Sequence, residues 1–347
     1  MNPYVLMILL SSLGLGTTLT FASSHWLLAW MGLEINTLAI IPLMAQHHHP
    51  RAVEATTKYF LTQATAAAMI LFAGTTNAWI MGEWDMNNMT SPATTMLMTA
   101  LALKIGLAPM HFWMPEVLQG LDLLTGLILS TWQKLAPLAL IIQIAPTINP
   151  LLLTALGLMS TLVGGWGGLN QTQLRKILAY SSIAHMGWMI IILQYAPQLT
   201  LLALATYICM TSAAFLTLKS SSTTKISTLA MTWSNSPILT ATTALVLLSL
   251  GGLPPLTGFM PKWLILQELT KQSLPLTATA MALAALLSLY FYLRLCYAMT
   301  LTISPSTTNF TTPWRTQTTQ TSLPLSIFTT IALGLLPVTP AVLMLAN

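Results

Sequence analysis

Charged residues are scarce in this sequence: Asp, Glu, Lys and Arg make up only 5% of its 347 residues. A soluble globular chain carries roughly 25% charged residues, because its surface must face water. Hydrophobic residues make up 55% of the chain, and many of the apolar runs reach the ~20 residues that cross a bilayer as a helix. The composition therefore excludes a soluble domain and predicts an all-α, polytopic transmembrane helical bundle.

Cysteine is nearly absent as well. Cys209 and Cys296 are far apart, each within an apolar run, which excludes a disulfide framework and a Cys-x-x-Cys redox or metal site. The sequence has no P-loop and no complete dinucleotide-binding loop. Three histidines at 47–49 lie in a basic loop without an acidic or thiol partner at metal spacing, so a solvated loop is favoured over a metal site. We expect this chain to bind no cofactor, no metal and no nucleic acid.

The apolar runs are divided by prolines, glycines and polar clusters into about eleven candidate spans. We expect one transmembrane domain over 1–347, with half-repeats at about 3–144 and 149–300 and a C-terminal helix at about 323–344. The spans are predicted at about 3–21, 26–45, 59–80, 93–108, 123–144, 149–169, 174–195, 199–219, 237–270, 276–300 and 323–344.

Positive residues give the predicted spans an orientation, because Lys and Arg collect in loops on the side where the chain is made. Here they cluster after even-numbered spans. The N-terminus is therefore predicted on the positive side and, with an odd number of spans, the C-terminus on the opposite side. The residues concerned are Arg51, Lys58, Arg175, Lys176, Lys219, Lys225 and Arg315.

Two proline-containing segments match each other. GLAPMHFWMP runs from Gly106 to Pro115, and GLPPLTGFMP runs from Gly252 to Pro261. Proline inside a span removes a backbone donor, so broken helices are predicted near 106–115 and 251–261. The segments lie five spans apart and thus run in opposite directions, which indicates an inverted repeat and a transporter site. Simple kinking by proline remains the alternative.

Four ionisable residues lie deep inside predicted spans: Glu34, Lys104, Lys134 and Lys262. A charge at the bilayer centre costs about 2.5–3.5 kcal/mol on insertion scales, so each one requires a reason. One acid cannot neutralise three lysines, so some of them are hydrated or kept partly neutral, and either condition suits proton transfer. The alternative is a structural ion pair that orients helices, for example between Glu34 and one lysine.

Two histidines extend this set, because histidine titrates nearest to neutral pH. His185 lies in the run AYSSIAHMGW, and His111 lies in the first interrupted segment. Both are candidate members of a proton relay. Lys58, Lys219 and Arg294 are close enough to span ends to reach the interface, and we interpret them as topological anchors.

Long motifs carry a family resemblance: the N-terminal run from Met1 to Met44, LKIGLAPMHFWMPEVLQGL around Lys104, LRKILAYSSIAHMGWM, and GGLPPLTGFMPKWLILQEL around Lys262. In these motifs the chain resembles, from end to end, the antiporter-like membrane subunits of respiratory complex I, NADH:ubiquinone oxidoreductase, in their short animal form. Bacterial members have fourteen spans. The three spans missing here would be the family's first three, outside the two five-helix repeats.

The resemblance implies roles for the buried residues. Glu34 would be the partner of Lys104, Lys134 the connecting lysine, Lys262 the lysine of the second broken helix, and His185 a link between the halves. It implies a membrane-arm subunit that contributes a proton path and holds no catalytic residue in the redox sense. NADH, FMN, iron–sulfur clusters and ubiquinone would be used by other subunits.

The same resemblance implies a place for the chain. It would lie in the mitochondrial inner membrane, with its N-terminus on the matrix side and its C-terminus on the intermembrane-space side. Its partners would be other membrane-arm subunits, including neighbouring antiporter-like chains, and lipid. Two alternatives stay open from the residues: a stand-alone cation/proton antiporter, and a scaffold whose charges only hold helices together.

Overall fold

The computed structural model describes residues 2–46, 48–86, 88–302 and 322–346. Arg315 of the predicted positive loops and His47 of the histidine run lie outside the described residues. Within the described ranges the chain forms sixteen α-helices, and extended pairing is limited to two isolated bridges. The all-α prediction is therefore confirmed. The chain divides into two compact units, Met1–Ser160 and Thr161–Asn347.

The first unit contains six helices and the start of a seventh. They are α1 (Pro3–Ala22), α2 (Trp26–Met44), α3 (Pro50–Met81), α4 (Ser91–Ile105), α5 (Trp113–Gly120), α6 (Leu123–Ile144) and α7 (Pro150–Gly168), of which α7 continues into the second unit.

Helix α3 begins at Pro50, well before the span predicted at about 59–80. Proline suits the first helical position because its fixed φ matches the helix and its missing N–H has no partner there. The Nδ1 atom of His49 accepts a hydrogen bond from the backbone N–H of Arg51 at 3.2 Å, which caps the helix start. Hydropathy marks only the apolar part of this helix, so the prediction missed its polar first turns.

Helices α1 and α2 pack with their backbones in contact. A Cβ atom added to Gly16 would lie 2.9 Å from the carbonyl oxygen of Gly32, and one added to Gly32 would lie 2.9 Å from the carbonyl oxygen of Gly16. Small residues allow membrane helices to approach this closely. The two glycines therefore fix the spacing of the first hairpin.

The second unit contains the end of α7 and nine further helices. They are α8 (Leu174–Ile192), α9 (Pro197–Ser220), α10 (Ile226–Ala230), α11 (Thr232–Asn235), α12 (Pro237–Gly251), α13 (Phe259–Lys271), α14 (Pro275–Thr300), α15 (Leu323–Gly334) and α16 (Thr339–Ala346).

Helix α7 ends against α14 in this unit. A Cβ atom on Gly168 would lie 2.8 Å from the ring of Phe291, so only glycine fits beneath that ring. Arg294 donates a hydrogen bond from its Nη1 atom to the carbonyl of Leu169 at 2.5 Å, just beyond the end of α7. Arg294 was interpreted as a topological anchor, and the structure adds a specific contact at a helix terminus.

Seven helices of the described chain are long and apolar enough to cross a membrane by themselves: α1, α2, α3, α6, α7, α9 and α14. The pair Leu323–Gly334 and Leu336–Val342 meets the same requirements together, with a bend of 67° between its parts. Helices occupy the positions of all eleven predicted spans, but α4, α8, α12 and α13 do not qualify singly. The count of about eleven thus stays a prediction, whereas a multi-pass membrane protein is confirmed.

Candidate functional site

Both predicted helix breaks are present, and they begin in the same way. Gly106 caps the end of α4, with φ 84° and ψ 43°, and Gly252 caps the end of α12, with φ 82° and ψ 43°. The N–H of each glycine donates to a carbonyl four residues earlier, at 2.9 Å for Gly106 and 3.1 Å for Gly252. Such left-handed glycine caps are a common helix ending. The two segments thus share backbone geometry as well as sequence.

The chain becomes helical again at Trp113 in the first segment and at Phe259 in the second. Pro115 and Pro261 lie in the first turns of α5 and α13, where a missing N–H breaks no helical hydrogen bond. The indole N–H of Trp113 donates to the carbonyl of Leu103 at 3.0 Å. This bond satisfies a carbonyl of the last turn of α4 and ties the two sides of the first break together.

The first unit encloses a cavity that both of its deep lysines line. Lys104 comes from α4 and Lys134 from α6. The cavity has a volume of about 10 Å³, which is enough for on the order of one water molecule. The polar side chains of Asn36, Tyr59, Gln63, Thr37 and Gln133 also line this cavity. The two lysines therefore share one small polar chamber within an apolar bundle.

Lys104 is 6% exposed, and its Nζ atom has no hydrogen-bond partner among the described residues. The carboxylate of Glu34 interacts with it electrostatically and accepts a hydrogen bond from the hydroxyl of Thr37 at 3.2 Å. Glu34 and Lys104 are therefore neighbours without a direct hydrogen bond. This arrangement leaves the ammonium group of Lys104 available to a further partner in the cavity.

Lys134 is 2% exposed and lies in the middle of α6. Pro137 follows it within the same helix, so the carbonyl of Gln133 lacks its usual helical donor. The side-chain amide of Gln133 reaches α2 and donates to the carbonyl of Asn36 at 3.4 Å. The segment around Lys134 is thus the most polar part of an otherwise apolar helix.

Lys262 joins the two sides of the second break through a hydrogen bond. It lies in the first turn of α13, and its Nζ atom donates to the carbonyl of Gly251, the last residue of α12, at 2.8 Å. A cation is stabilised at a helix C-terminus, where the backbone dipole is negative. A Cβ atom at Gly252 would lie 2.9 Å from this Nζ atom, so the glycine leaves room for the ammonium group.

His185 and Lys262 line the same two cavities of the second unit. His185 lies on α8 with its ring centroid 5.6 Å from that of Tyr207 on α9. Ser181, Ser288 and Tyr292 supply further polar groups to one of these cavities. The second unit thus brings together the histidine and the lysine that the sequence singled out.

His111 is 5% exposed and lies inside the first break. Its carbonyl accepts a hydrogen bond from the N–H of Met114 at 3.0 Å, and its ring packs on Phe112 at 4.4 Å. It does not line the cavity of Lys104 and Lys134. The structure therefore places His111 within the break and apart from that cavity.

Sequence reasoning missed the polar residues around the lysines. Asn36 and Gln133 lie within apolar spans and could have been found by the same criterion of depth. Tyr59 is different, because an aromatic residue in an apolar run carries no such signal. Among the described residues, no group of three or more His, Cys, Asp or Glu residues lies together in a way that could hold a metal ion.

Two family models match the chain. The family described as "NADH:quinone oxidoreductase/Mrp antiporter, TM" matches residues 23–288, and "NADH dehydrogenase subunit 2 C-terminus" matches residues 289–343. The protein named NADH-ubiquinone oxidoreductase chain 2 is 86% identical in Carassius auratus and 78% identical in Danio rerio. In both cases the match covers 100% of each chain.

Solved structures share the fold. A chain of respiratory complex I from Thermus thermophilus is 29% identical, with a TM-score of 0.85, over 97% of this chain and 78% of that one. A chain of the Mrp complex from Dietzia has the same TM-score at 15% identity, over 97% of this chain and 76% of that one. At that identity the likeness concerns the fold alone.

Proposed function

The chain belongs to the family of membrane subunits that NADH:quinone oxidoreductases share with Mrp antiporters, and we propose that it carries one proton path of complex I through its buried Lys, Glu and His residues. It acts as a membrane subunit of NADH-ubiquinone oxidoreductase. Electron transfer from NADH to ubiquinone takes place in other subunits, which hold the FMN and iron–sulfur clusters. The two matched family regions and the full-length identity to chain 2 support this assignment.

The shared cavity of Lys104 and Lys134 is the observation that carries the proposal. Two lysines facing one chamber repel each other when both are charged, and burial disfavours the charged form further. Two buried lysines do not stabilise the structure as an ion pair would, because an ion pair requires opposite charges. A lysine that gains and loses its proton accounts for two lysines at one cavity.

The remaining residues extend the path. Glu34 modulates the charge of Lys104 through its electrostatic interaction with that lysine, and His185 and Lys262 form the corresponding pair in the second unit. His111, within the first break, is a relay member outside the cavity of the lysines. Water bridging of groups that do not touch directly is a normal feature of such sites.

The proposed setting is the mitochondrial inner membrane, with the N-terminus in the matrix and the C-terminus in the intermembrane space. Positive loops after even-numbered spans support this orientation. Neighbouring antiporter-like chains and lipid would cover the exposed apolar helix faces. The two half-repeats, 3–144 and 149–300, would be related by an inverted topology, which the matched glycine caps support.

Replacing Lys134 by Met tests the path, because Met keeps much of the side-chain volume and removes the titratable group. We expect the complex to assemble and its ratio of protons pumped per NADH oxidised to fall. Lys58→Met is the matched control, because Lys58 lies at the exposed start of α3. A fully assembled Lys134→Met complex with unchanged pumping and NADH turnover would contradict the proposal.

Two further measurements separate the alternatives. A stand-alone antiporter, which the fold shared with the Mrp chain would suit, predicts cation flux through the purified chain in lipid vesicles. A scaffold predicts that Glu34→Gln prevents assembly, since a lost structural charge would leave its buried neighbours unpaired. Under our proposal, Glu34→Gln assembles and pumps less.

A further inference from the structure

The second break contacts α15, a helix other than α12 and α13, which flank the break. The hydroxyl of Thr257 donates a hydrogen bond of 2.5 Å to the carbonyl of Ala332 on α15. Thr257 and Ala332 are each 1% exposed. The bond spans 75 positions of sequence and joins the break to the C-terminal part of the chain.

The carbonyl of Ala332 is suited to this contact. Ala332 lies in the last turn of α15, which ends at Gly334, and the last four carbonyls of a helix lack helical donors. The 67° bend between α15 and the following helical segment turns the chain away at this point. A side-chain donor from elsewhere therefore satisfies a carbonyl that the bend leaves open.

The break itself is held at two further points. Lys262 bonds the carbonyl of Gly251 at 2.8 Å, and Gly258 packs so closely on the carbonyl of Ser249 that an added Cβ atom would overlap it. Both contacts lie within the α12–α13 pair. The Thr257–Ala332 bond differs because it fixes the segment against an outside element.

The corresponding position of the first break carries another residue. Thr257 comes five residues after Gly252, as His111 comes five residues after Gly106. The sequence thus places an imidazole in one break and a hydroxyl donor in the other. In addition, Ala332 lies in the region matched by the C-terminal model of subunit 2, whereas Thr257 lies in the region shared with antiporters.

We propose that Thr257 is a positioning residue for Lys262, and that α15 holds the second break in place through the Ala332 carbonyl. The proposal rests on the role of Lys262 in the proposed proton path. It gives the C-terminal helix a part in proton transfer: when the Thr257 bond is lost, residues 252–258 loosen and Lys262 no longer keeps its place at the end of α12.

The test compares Thr257→Ala with Thr257→Ser in the assembled complex, because both lose the methyl group and only Ser keeps the hydroxyl. Thr240→Ala and Thr240→Ser are the matched controls. Thr240 is also 1% exposed, but its hydroxyl donates only within its own helix, to the carbonyl of Pro237 at 2.8 Å.

Two quantities are measured, and the first is hydrogen–deuterium exchange at the backbone amides of residues 256–260. We expect exchange about five-fold faster in Thr257→Ala than in Thr257→Ser, as for the loss of one buried neutral hydrogen bond. The Thr240 pair should show no difference in this segment. Equal exchange in the two Thr257 variants overturns the proposal.

The second quantity is the number of protons pumped per NADH. It should fall in Thr257→Ala towards the value of a Lys262→Met complex and stay normal in Thr257→Ser. Faster exchange with normal pumping in Thr257→Ala would support the contact with α15 and contradict the positioning of Lys262 by Thr257. Normal pumping in the Lys262→Met complex would instead contradict the role of Lys262 in the proposed function, so the two failures are distinguishable. If Thr257→Ala does not assemble, Thr257→Cys, with its weaker donor, replaces it in both measurements.

Discussion

Gly106 and Gly252 end their helices in the same left-handed conformation, with ψ 43° at both and φ values 2° apart, 84° and 82°. The surroundings of the two caps differ. An added Cβ atom at Gly106 would meet Met114 and Trp113, whereas one at Gly252 would meet the side chain of Lys262. The same left-handed glycine cap therefore lies next to apolar side chains in the first unit and next to an ammonium group in the second.

Gly252→Ala is expected to reduce proton pumping. The left-handed conformation costs a non-glycine residue roughly 1–2 kcal/mol, and the new methyl group would push the flexible end of Lys262 off the carbonyl of Gly251. Gly82→Ala is the control, because Gly82 has φ 76° and no atom within 4 Å of its added Cβ. Protons pumped per NADH should fall only in Gly252→Ala; an equal effect in both would assign the loss to backbone strain.

Gly16→Ala is expected to reduce the amount of assembled complex. Its new methyl group would overlap the side-chain amide of Asn36 and approach the Gly32 carbonyl to 2.9 Å, and overpacking of this kind costs about 1–3 kcal/mol or more. Gly14→Ala on the same helix meets nothing within 4 Å and should assemble normally. Native gel electrophoresis of membranes measures both; normal assembly of Gly16→Ala would contradict the close contact of α1 and α2.

Trp113→Phe is expected to lower the temperature at which the complex loses activity. The substitution keeps an aromatic ring but removes the donor to the Leu103 carbonyl, and a buried acceptor left without a partner costs about 1–3 kcal/mol. Trp79→Phe is the control, because Trp79 is 89% exposed in this chain. A thermal inactivation curve that does not separate the two variants would show that the indole bond is unimportant for the first break.

Lys58→Met is expected to leave pumping and assembly unchanged. Lys58 bonds Glu54 and Glu116, each at 2.8 Å, but all three side chains are exposed, and exposed ion pairs contribute little to stability. The measurement is the proton-to-NADH ratio at low and high salt. A large loss of pumping would contradict the interpretation of Lys58 as a topological anchor and would indicate that it belongs to the proton path.

The positions of the helices could be predicted from sequence because apolar runs and their punctuation are local signals. The paired prolines mark the two breaks, whereas the span predicted at about 59–80 covers only the apolar part of α3, which begins at Pro50. The depth of Lys104 and Lys134 was also predictable, since it follows from their places within apolar spans. Both side chains are buried among the helices, with exposed fractions of 6% and 2%.

The surroundings of these lysines could not be predicted, because they come from helices that are distant in sequence. Tyr59 on α3 and Gln133 on α6 meet at one cavity only through packing. The Thr257–Ala332 bond depends in the same way on how α15 packs against the second break. The resemblance implies that Glu34 is the partner of Lys104, and in the structure the two interact electrostatically without a direct hydrogen bond.

The bond between Lys262 and the Gly251 carbonyl joins the end of α12 to the ammonium group of α13. A hydrogen bond from an ammonium group is roughly twice as strong as one from a neutral amine. Under the proposed function, release of the proton from Lys262 would weaken the attachment of the end of α12 to α13, and reprotonation would restore it. The second break would then couple the charge on Lys262 to the position of the backbone, at the point where the helix is already interrupted.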